Sequence, residues 1–307
     1  MGEWSKKVGE HGEKVVKEFF ELIGWSSSQE GIEMPCVRSN HERKTHGIDR
    51  LFLYMSPLED GALNNVVTSV KYTSDDYPSA PNSLFKSHFF DLAKTLECFK
   101  NSEIRRDAIK SFTGVDSTKN IGVLFWLSNP KEQGRDILTE VANCKGLDAF
   151  AFETIYVVDN KRISFIYDSI QGVRAAFSSK SVEFFYPSTG KNNNPVTKNA
   201  SGLVLPVEYI NSSVLLFRVV DDRNQSKTLV ISSIDSFTGS NLRRLIGLAY
   251  EISQDWNSST LILFPDYDSL HHKNEASEAK SGFTNQSFVG SVKVASFNAD
   301  FRSMANE

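Results

Sequence analysis

The chain has 307 residues, of which 40% are hydrophobic and 23% are charged, and its formal net charge at pH 7 is −4. This composition is that of an ordinary globular protein, which excludes a chain that is disordered over most of its length. The negative net charge excludes a protein that coats nucleic acid or a membrane by bulk charge, so a nucleic-acid site has to be a local patch. The length is enough for two domains.

Features of secreted and membrane proteins are also missing from the sequence. No apolar run approaches the ~18 residues that a membrane-spanning helix needs, and the first residues are polar, unlike those of a signal peptide. Three cysteines, Cys36, Cys98 and Cys144, are widely separated and form none of the close pairs typical of disulfide frameworks or zinc sites. We therefore expect a cytoplasmic protein with no membrane contact, no disulfide bond and no zinc site built on cysteines.

The first hundred residues predict two helices on either side of a strand pair. Apolar residues recur at helical spacing over residues 5 to 24, whereas the polar residues 26 to 46 are expected to form a loop. Two strands follow, HGIDRLFLYM at 46–55 and VVTSVKYTS at 66–74, and the turn-rich segment between them favours a hairpin. A second helix is predicted over residues 83 to 100.

Further along, the chain continues to alternate between strands and helices. NIGVLFWLSNP is a continuous apolar run, typical of a central strand that is covered on both faces. A helix is predicted over residues 131 to 145, and a strand pair is predicted for AFETIYVVDN and RISFIYDSI, joined at Asn160. The resulting order predicts an α/β fold, with a mixed β-sheet flanked by helices.

A polar segment at residues 186–202, rich in Asn, Ser, Gly and Pro, is the best domain boundary. We therefore predict a first domain over 1–185, a linker over 186–202, and a second, α/β accessory or interaction domain over 203–307. This second domain is expected to contain a helix over residues 240 to 255 and a flexible polar stretch over residues 271 to 287.

Two charged residues lie in the predicted strand pair, where apolar side chains would pack better. Side chains alternate across a strand, so Asp49 and Lys71 can project from one face near one edge of the sheet. A carboxylate beside an ammonium suits the binding of a divalent cation and a phosphate. The alternative is that the two residues form a structural salt bridge.

The order of three short motifs resembles that of the PD-(D/E)XK nuclease superfamily. These motifs are GE at 12–13 in the first helix, GID at 47–49 in the first strand and SVK at 69–71 in the second strand. The resemblance covers roughly residues 8 to 130. It implies a restriction endonuclease-like fold and a metal-dependent endonuclease that hydrolyses DNA, of the kind found in bacterial antiphage or restriction systems.

The resemblance also implies roles for individual residues. Glu13, Asp49 and Lys71 are the expected catalytic residues, and Asp49 is an expected ligand of Mg²⁺ or Mn²⁺. The carbonyl of Val70 is a further candidate ligand. Lys71 would steady the attacking water and the charge of the transition state, and Glu13 would contact a metal-bound water or position Lys71.

One motif departs from the family pattern, because Ser69 replaces the acid of the acid-x-lysine triplet. Some members of the superfamily with this Ser-x-Lys form recruit an acid from the following helix. That helix offers Asp91 and Glu97, and we favour Glu97 as the second metal ligand. If neither acid reaches the site, the domain is a degenerate nuclease that binds nucleic acid or protein within a defence complex without cutting.

The loop before Asp49 is the most basic segment near the proposed site. Its three cations, Arg38, Arg43 and Lys44, are candidates for contacts with the DNA backbone. Metal binding by His41 and His46 is a second possibility for this loop, but phosphate contact is favoured. The resemblance further implies that the protein acts on DNA as a homodimer or beside a partner protein of the same defence system.

Overall fold

The computed structural model describes residues 2–130, 134–253 and 256–298. By their internal contacts the residues group into two compact units, Met1–Ile163 and Ser164–Glu307. The division between these units falls inside a helix rather than in the polar segment 186–202. The predicted roles of the two parts of the chain remain predictions.

The first unit contains a mixed sheet with helices on its faces. Its helices are α1 (Gly2–Leu22), α2 (Asn82–Phe99), α3 (Glu103–Ile109) and α4 (Ile137–Val141), and its strands are β1 (Gln29–Pro35), β2 (Thr45–Met55), β3 (Ala62–Thr73), β4 (Ser117–Ser128) and β5 (Thr154–Val158). Among the described residues the strand order is β1-β2-β3-β4-β5. The pairs β1–β2 and β2–β3 are antiparallel, and β3–β4 and β4–β5 are parallel. The predicted hairpin and the mixed α/β fold are confirmed.

Helices α1 and α2 cover opposite faces of this sheet. Neighbouring residues of β4 show the arrangement, because side chains alternate across a strand. The ring of Phe125 contacts Phe19 and Phe20 of α1, with centroid distances of 6.0 and 5.8 Å. The ring of Trp126 stacks on Phe85 of α2 at 5.7 Å. The two apolar helix faces therefore bury β4 from both sides, as its continuous apolar sequence predicts.

A close approach at Gly12 fixes how α1 lies on the sheet. A Cβ atom added at Gly12 would lie 2.3 Å from Cβ of Tyr72 in β3. Since Cβ of Tyr72 cannot move independently of the strand, only glycine allows this distance between helix and strand. The contact holds the next residue, Glu13, near the end of β3 that carries the SVK motif.

The second unit contains its own mixed sheet. Helix α5 (Asn160–Ala176) crosses the division between the units. It is followed by β6 (Ser181–Phe185), β7 (Ser201–Gly202), β8 (Val214–Val220), β9 (Lys227–Ser233), α6 (Gly239–Ser253), β10 (Ser259–Phe264), α7 (Ser269–Ser281), α8 (Gln286–Gly290) and β11 (Val292–Ser296). The strand order in the described part of this unit is β11-β10-β9-β8-β6-β7. Strands β9, β10 and β11 are parallel, which confirms the predicted C-terminal α/β architecture.

Three expectations about individual elements are wrong. The predicted loop over residues 26 to 46 contains β1, an edge strand in which only Met34 is buried, so its sequence shows little apolar alternation. RISFIYDSI belongs to helix α5 rather than to a strand, because Asp159 accepts a hydrogen bond from the N–H of Arg162 and starts a helix there. The polar stretch 271 to 287 forms much of α7 and the start of α8, and α7 buries only two small residues, Ala276 and Ala279.

Two other predicted helices differ at their ends. The helix predicted over residues 131 to 145 is observed only as α4, and residues 131 to 133 lie outside the described residues. The last two residues of the helix predicted over 240 to 255 also lie outside them. None of the helices in the described ranges is both long enough and apolar enough to cross a membrane.

The close approach at Gly12 can be tested with two glycines of the same helix. We expect Gly12→Ala to destabilise the protein by about 1–3 kcal/mol, because the added methyl group overpacks against Tyr72. Gly9→Ala is the control, because nothing lies within 4 Å of its added Cβ and alanine favours the helix by about 0.5–1 kcal/mol. Urea unfolding of the full chain measures both changes, and equal stability of the two variants would contradict the contact.

Candidate active site

Strands β2 and β3 diverge at the residues that the sequence singles out. Their antiparallel pairing runs from Met55–Leu63 as far as Arg50–Thr68. Beyond this point the first half of β2 pairs with β1, whereas the end of β3 pairs with β4. The two strands therefore diverge next to Asp49.

The carboxylate of Asp49 lies at this parting of β2 and β3. Its Oδ2 accepts a hydrogen bond from the backbone N–H of Val70 at 2.6 Å. Since residues two apart on a strand share a face, Lys71 projects from the same face as Ser69. The hydrogen bond thus ties Asp49 to the residue that precedes Lys71 in β3.

Helix α2 supplies a second acid, which lies beside Lys71. Oδ2 of Asp91 is 3.1 Å from Nζ of Lys71, and its Oδ1 is 2.6 Å from a guanidinium nitrogen of Arg43. Burial raises the pKa of Asp91, but the positive charges of Lys71 and Arg43 outweigh that effect and hold the pKa below its ordinary value. Asp91 is therefore a carboxylate at neutral pH.

Glu97, the acid favoured from the sequence, lies elsewhere. Its carboxylate oxygens are 3.1 Å from Nε of Arg38 and 3.1 Å from Nε2 of His41. Asp91 and Glu97 are six residues apart on α2, so they point about 120° apart around the helix axis and lie about 9 Å apart along it, and they contact different partners. The expectation for Glu97 is corrected accordingly, because the acid beside Lys71 is Asp91.

Glu13 approaches the site from the opposite face of the sheet, on α1. Burial raises the pKa of its carboxyl group, and the negative charge of Asp49 raises it further, whereas the charge of Arg50 lowers it. Glu13 is therefore close enough to Asp49 for the charge of Asp49 to disfavour ionisation of Glu13. A cation held between them would relieve this effect.

A family model for the GAPS4 protein PD-(D/E)XK nuclease domain matches residues 1–162, which is more than half of the chain. The chain belongs to this family. The match confirms the resemblance stated from the three motifs and extends it over the whole first unit, and the observed mixed sheet is that of a restriction endonuclease-like fold. A search of curated proteins finds no match.

Within the PD-(D/E)XK family, the departure at Ser69 now has a structural context. Ser69 is buried, with 8% of its surface exposed, and it lies on the face that carries Lys71. Asp91 reaches the same lysine from α2. The carboxylate missing from the triplet therefore has a counterpart on the helix that follows it.

Oxygen atoms from carboxylates dominate the donors around this site. Mg²⁺ and Mn²⁺ prefer such ligands to sulfur or nitrogen. Asp49 binds the N–H of Val70, Asp91 binds the neighbouring Lys71, and Glu13 is within the electrostatic reach of Asp49. The residues present therefore fit a hard divalent cation, with Asp49 and Asp91 as the residues that would hold it.

His88 is a neighbour of this site that the sequence reasoning missed. Burial lowers the pKa of His88 to about 4, the positive charge of Lys71 lowers it further, and the negative charge of Asp91 opposes this effect. His88 and Asp91 are three residues apart on α2 and so share a helix face. This spacing was the available signal in the sequence, and the imidazole is neutral at pH 7.

The basic loop proposed for DNA contact lies next to the two acids of α2. Arg38 pairs with Glu97, Arg43 pairs with Asp91, and Lys44 is exposed. DNA binding by these three residues stays a prediction.

Two of the cysteines that are widely separated in the sequence meet in the structure. The sulfur atoms of Cys36 and Cys98 are 3.8 Å from each other, and both lie 3.5 Å from Nδ1 of His41. The C-x4-H-x4-H spacing of Cys36, His41 and His46 was a usable signal, but Cys98 follows much later and gave no local pattern.

The position of His88 beside Lys71 can be tested by NMR titration of the histidine rings. Lys71→Ala should raise the pKa of His88 from about 4 toward 6.5, because the variant removes a nearby positive charge. Lys71→Arg retains the charge and should leave the pKa low. An unchanged pKa in Lys71→Ala would show that the lysine lies away from His88.

Proposed function

We propose that the N-terminal unit is a metal-dependent endonuclease that hydrolyses phosphodiester bonds of DNA. The observation that carries this proposal is the contact between Lys71 and Asp91 next to Val70, whose N–H binds Asp49 where β2 and β3 diverge. Membership of a PD-(D/E)XK nuclease domain family supports nuclease chemistry at this position. Beyond family membership, the proposal specifies a divalent metal ion, DNA as the substrate and the catalytic roles of individual residues.

Each residue of the site has a role that follows from its charge and partners. Asp49 and Asp91 would hold Mg²⁺ or Mn²⁺ through their carboxylates. A bound divalent cation supplies charge next to the scissile phosphate and makes a coordinated water easier to deprotonate. Glu13 is the residue whose raised pKa suits proton exchange with water near Asp49. Nothing in this assignment depends on Glu97.

Lys71 is suited to stabilise negative charge at the reacting phosphate. Its side chain is 29% exposed, so its ammonium group is accessible to a ligand while still anchored to Asp91 at 3.1 Å. Positioned donors of this kind contribute about 10²–10³-fold to the rate when they meet developing charge. The contact with Asp91 holds Nζ in place without using all three of its protons.

The basic loop is the proposed contact with the DNA backbone. Arg38, Arg43 and Lys44 follow β1 and lead into β2, immediately before Asp49. Phosphate contacts from such residues position DNA and supply affinity without reading its sequence. Arg43 contacts Asp91 as well, so it is the cation of this loop nearest to the proposed chemistry.

The biological setting is also part of the proposal. We infer a role in bacterial antiphage or restriction defence, with action as a homodimer or beside a partner protein. The C-terminal α/β unit is proposed to contact that partner or the substrate. All three cysteines are free thiols, which supports a reducing, cytoplasmic setting.

The assignment can be tested by incubating the full-length protein with plasmid DNA and Mg²⁺ or Mn²⁺. Wild type should nick or linearise the plasmid, and Lys71→Ala and Asp49→Asn should each lower the rate by about 10²-fold or more. Glu13→Gln should also lower it, whereas Glu10→Gln, on the same helix, should not. Melting temperatures near that of wild type would show that the variants fold.

The rival function is a degenerate nuclease that binds nucleic acid or a protein without cutting, and the serine at position 69 favours it. A degenerate nuclease of this kind should not cleave the plasmid with Mg²⁺ or with Mn²⁺. The same hypothesis also predicts that Lys71→Ala lowers the melting temperature, because the lysine then serves only as the structural partner of Asp91. Absence of cleavage together with this loss of stability would refute the nuclease assignment.

A rescue experiment tests whether Asp91 replaces the missing acid of the triplet. Asp91→Asn should lower cleavage strongly, and adding Ser69→Asp should restore part of the rate, because the new carboxylate lies on the face of Lys71. The matched control is Asp107→Asn, whose side chain is 70% exposed on α3 and should leave the rate unchanged. If the double variant stays inactive while it is folded and binds DNA, then a carboxylate at position 69 cannot substitute for Asp91.

A further inference from the structure

Four side chains of the kinds that bind zinc converge between the segment after β1 and the last turn of α2. They are Cys36, His41, His46 and Cys98, and one potential ligand atom from each lies within 4.8 Å of the others. His41, His46 and Cys98 are each at most 2% exposed. This Cys/His cluster is separate from the carboxylates of the proposed nuclease site.

The distances within the Cys/His cluster match the edges of a zinc tetrahedron. The sulfur atoms are 3.8 Å apart, Nδ1 of His41 is 3.3 Å from Nε2 of His46, and each sulfur is 3.5 Å from Nδ1 of His41. With Zn–S of about 2.3 Å and Zn–N of about 2.05 Å, a regular tetrahedron has S···S, N···N and S···N edges of about 3.8, 3.3 and 3.6 Å. These four distances agree with the corresponding edges, and the ligand atom of His46 lies within 4.8 Å of each sulfur.

Hydrogen bonds on the outer side of both imidazoles indicate where their protons lie. Nε2 of His41 is 3.1 Å from a carboxylate oxygen of Glu97, which only accepts, so this nitrogen carries the proton. The hydroxyl of Thr95 donates to the backbone carbonyl of Asp91 and can therefore only accept from Nδ1 of His46, at 3.5 Å. The inner nitrogens of the two histidines thus present lone pairs to each other.

Two lone pairs that face each other at 3.3 Å repel unless positive charge lies between them. Sulfur and imidazole nitrogen together favour Zn²⁺ over the hard cations Mg²⁺ and Ca²⁺. We propose that Cys36, His41, His46 and Cys98 bind one Zn²⁺ in a closed, four-coordinate structural site.

The surroundings of the cluster are those of a metal site. Ligating histidines commonly donate their second ring N–H to a carboxylate or another acceptor, which fixes the orientation of the ring. Glu97 has this position on His41, and Thr95 has it on His46. The role of Glu97 is therefore to orient a zinc ligand, which explains why it lies away from Lys71.

A structural zinc site here would tie the segment 36–46 to helix α2. Protein atoms fill all four ligand positions, so the site has no open position for a substrate or a water. Arg43 lies between the two ligating histidines and contacts Asp91, a residue of the same helix as Cys98. Zinc would therefore hold the basic loop beside the proposed nuclease site.

The proposal is tested on full-length protein by metal analysis and by cobalt substitution. Purified wild type should contain one zinc per chain by mass spectrometry of the digested protein. After chelation, titration with Co²⁺ should give the visible bands of tetrahedral cobalt and a sulfur-to-cobalt charge-transfer band. Because the titration uses wild-type protein, its result does not depend on the folding of a variant.

Single substitutions test which side chains are ligands of the zinc ion. Cys98→Ala and His46→Ala should lose the zinc and the cobalt spectrum, whereas Cys144→Ser should keep both, because that cysteine lies outside the cluster. Glu97→Gln should retain the site but weaken zinc affinity by about 10- to 100-fold. Lys71→Ala should keep one zinc per chain, which separates this test from the outcome of the nuclease assay.

Three results would overturn the zinc site. One is wild-type protein that carries no zinc, takes none up from excess Zn²⁺ and gives no tetrahedral cobalt spectrum, which would leave a metal-free cluster of thiols and imidazoles. Another is retention of one zinc by folded Cys98→Ala. The third is loss of zinc in Cys144→Ser but not in Cys98→Ala.

Discussion

The ion pair between Lys71 and Asp91 joins the central sheet to helix α2 at the point where β2 and β3 part. Both side chains are about one-third exposed, at 29% and 33%, so solvent screens their attraction. Exposed pairs of this kind contribute less than about 1 kcal/mol to folding. Stability alone therefore gives little reason to keep these charges at the end of a strand. The pair is instead the basis of the proposed site for a cation and a phosphate.

Helix α2 presents two different chemistries at two points along its length. His88 and Asp91 lie beside Lys71, whereas Glu97 and Cys98, about two turns later, lie beside the segment after β1. Oxygen donors collect at the first point, whereas sulfur and nitrogen donors collect at the second. Hard and soft metal ions would thus be sorted between two sites of one small unit by ligand type.

Sequence reasoning found the parts of the site that depend on local pattern. The order of Glu13, Asp49 and Lys71 along one helix and two strands was readable, because strand alternation places charged residues on a known face. The choice between Asp91 and Glu97 was not readable, because it depends on how α2 is rotated against the sheet. The Cys/His cluster was missed because Cys98 meets Cys36 only through tertiary packing. The edge strand β1 and helix α7 were missed because each buries few large apolar side chains.

The hydrogen bond from Val70 to Asp49 affects how substitutions at this acid are interpreted. The carboxylate accepts a hydrogen bond from the main-chain N–H of Val70 beyond the last backbone pairing between β2 and β3. Truncation to alanine would remove that acceptor as well as the negative charge, and an unsatisfied donor costs about 1–3 kcal/mol when it is shielded from water. An alanine scan would therefore attribute to catalysis a loss of activity that partly reflects local separation of the two strands. The amide of asparagine keeps an oxygen for Val70 and so isolates the contribution of the charge.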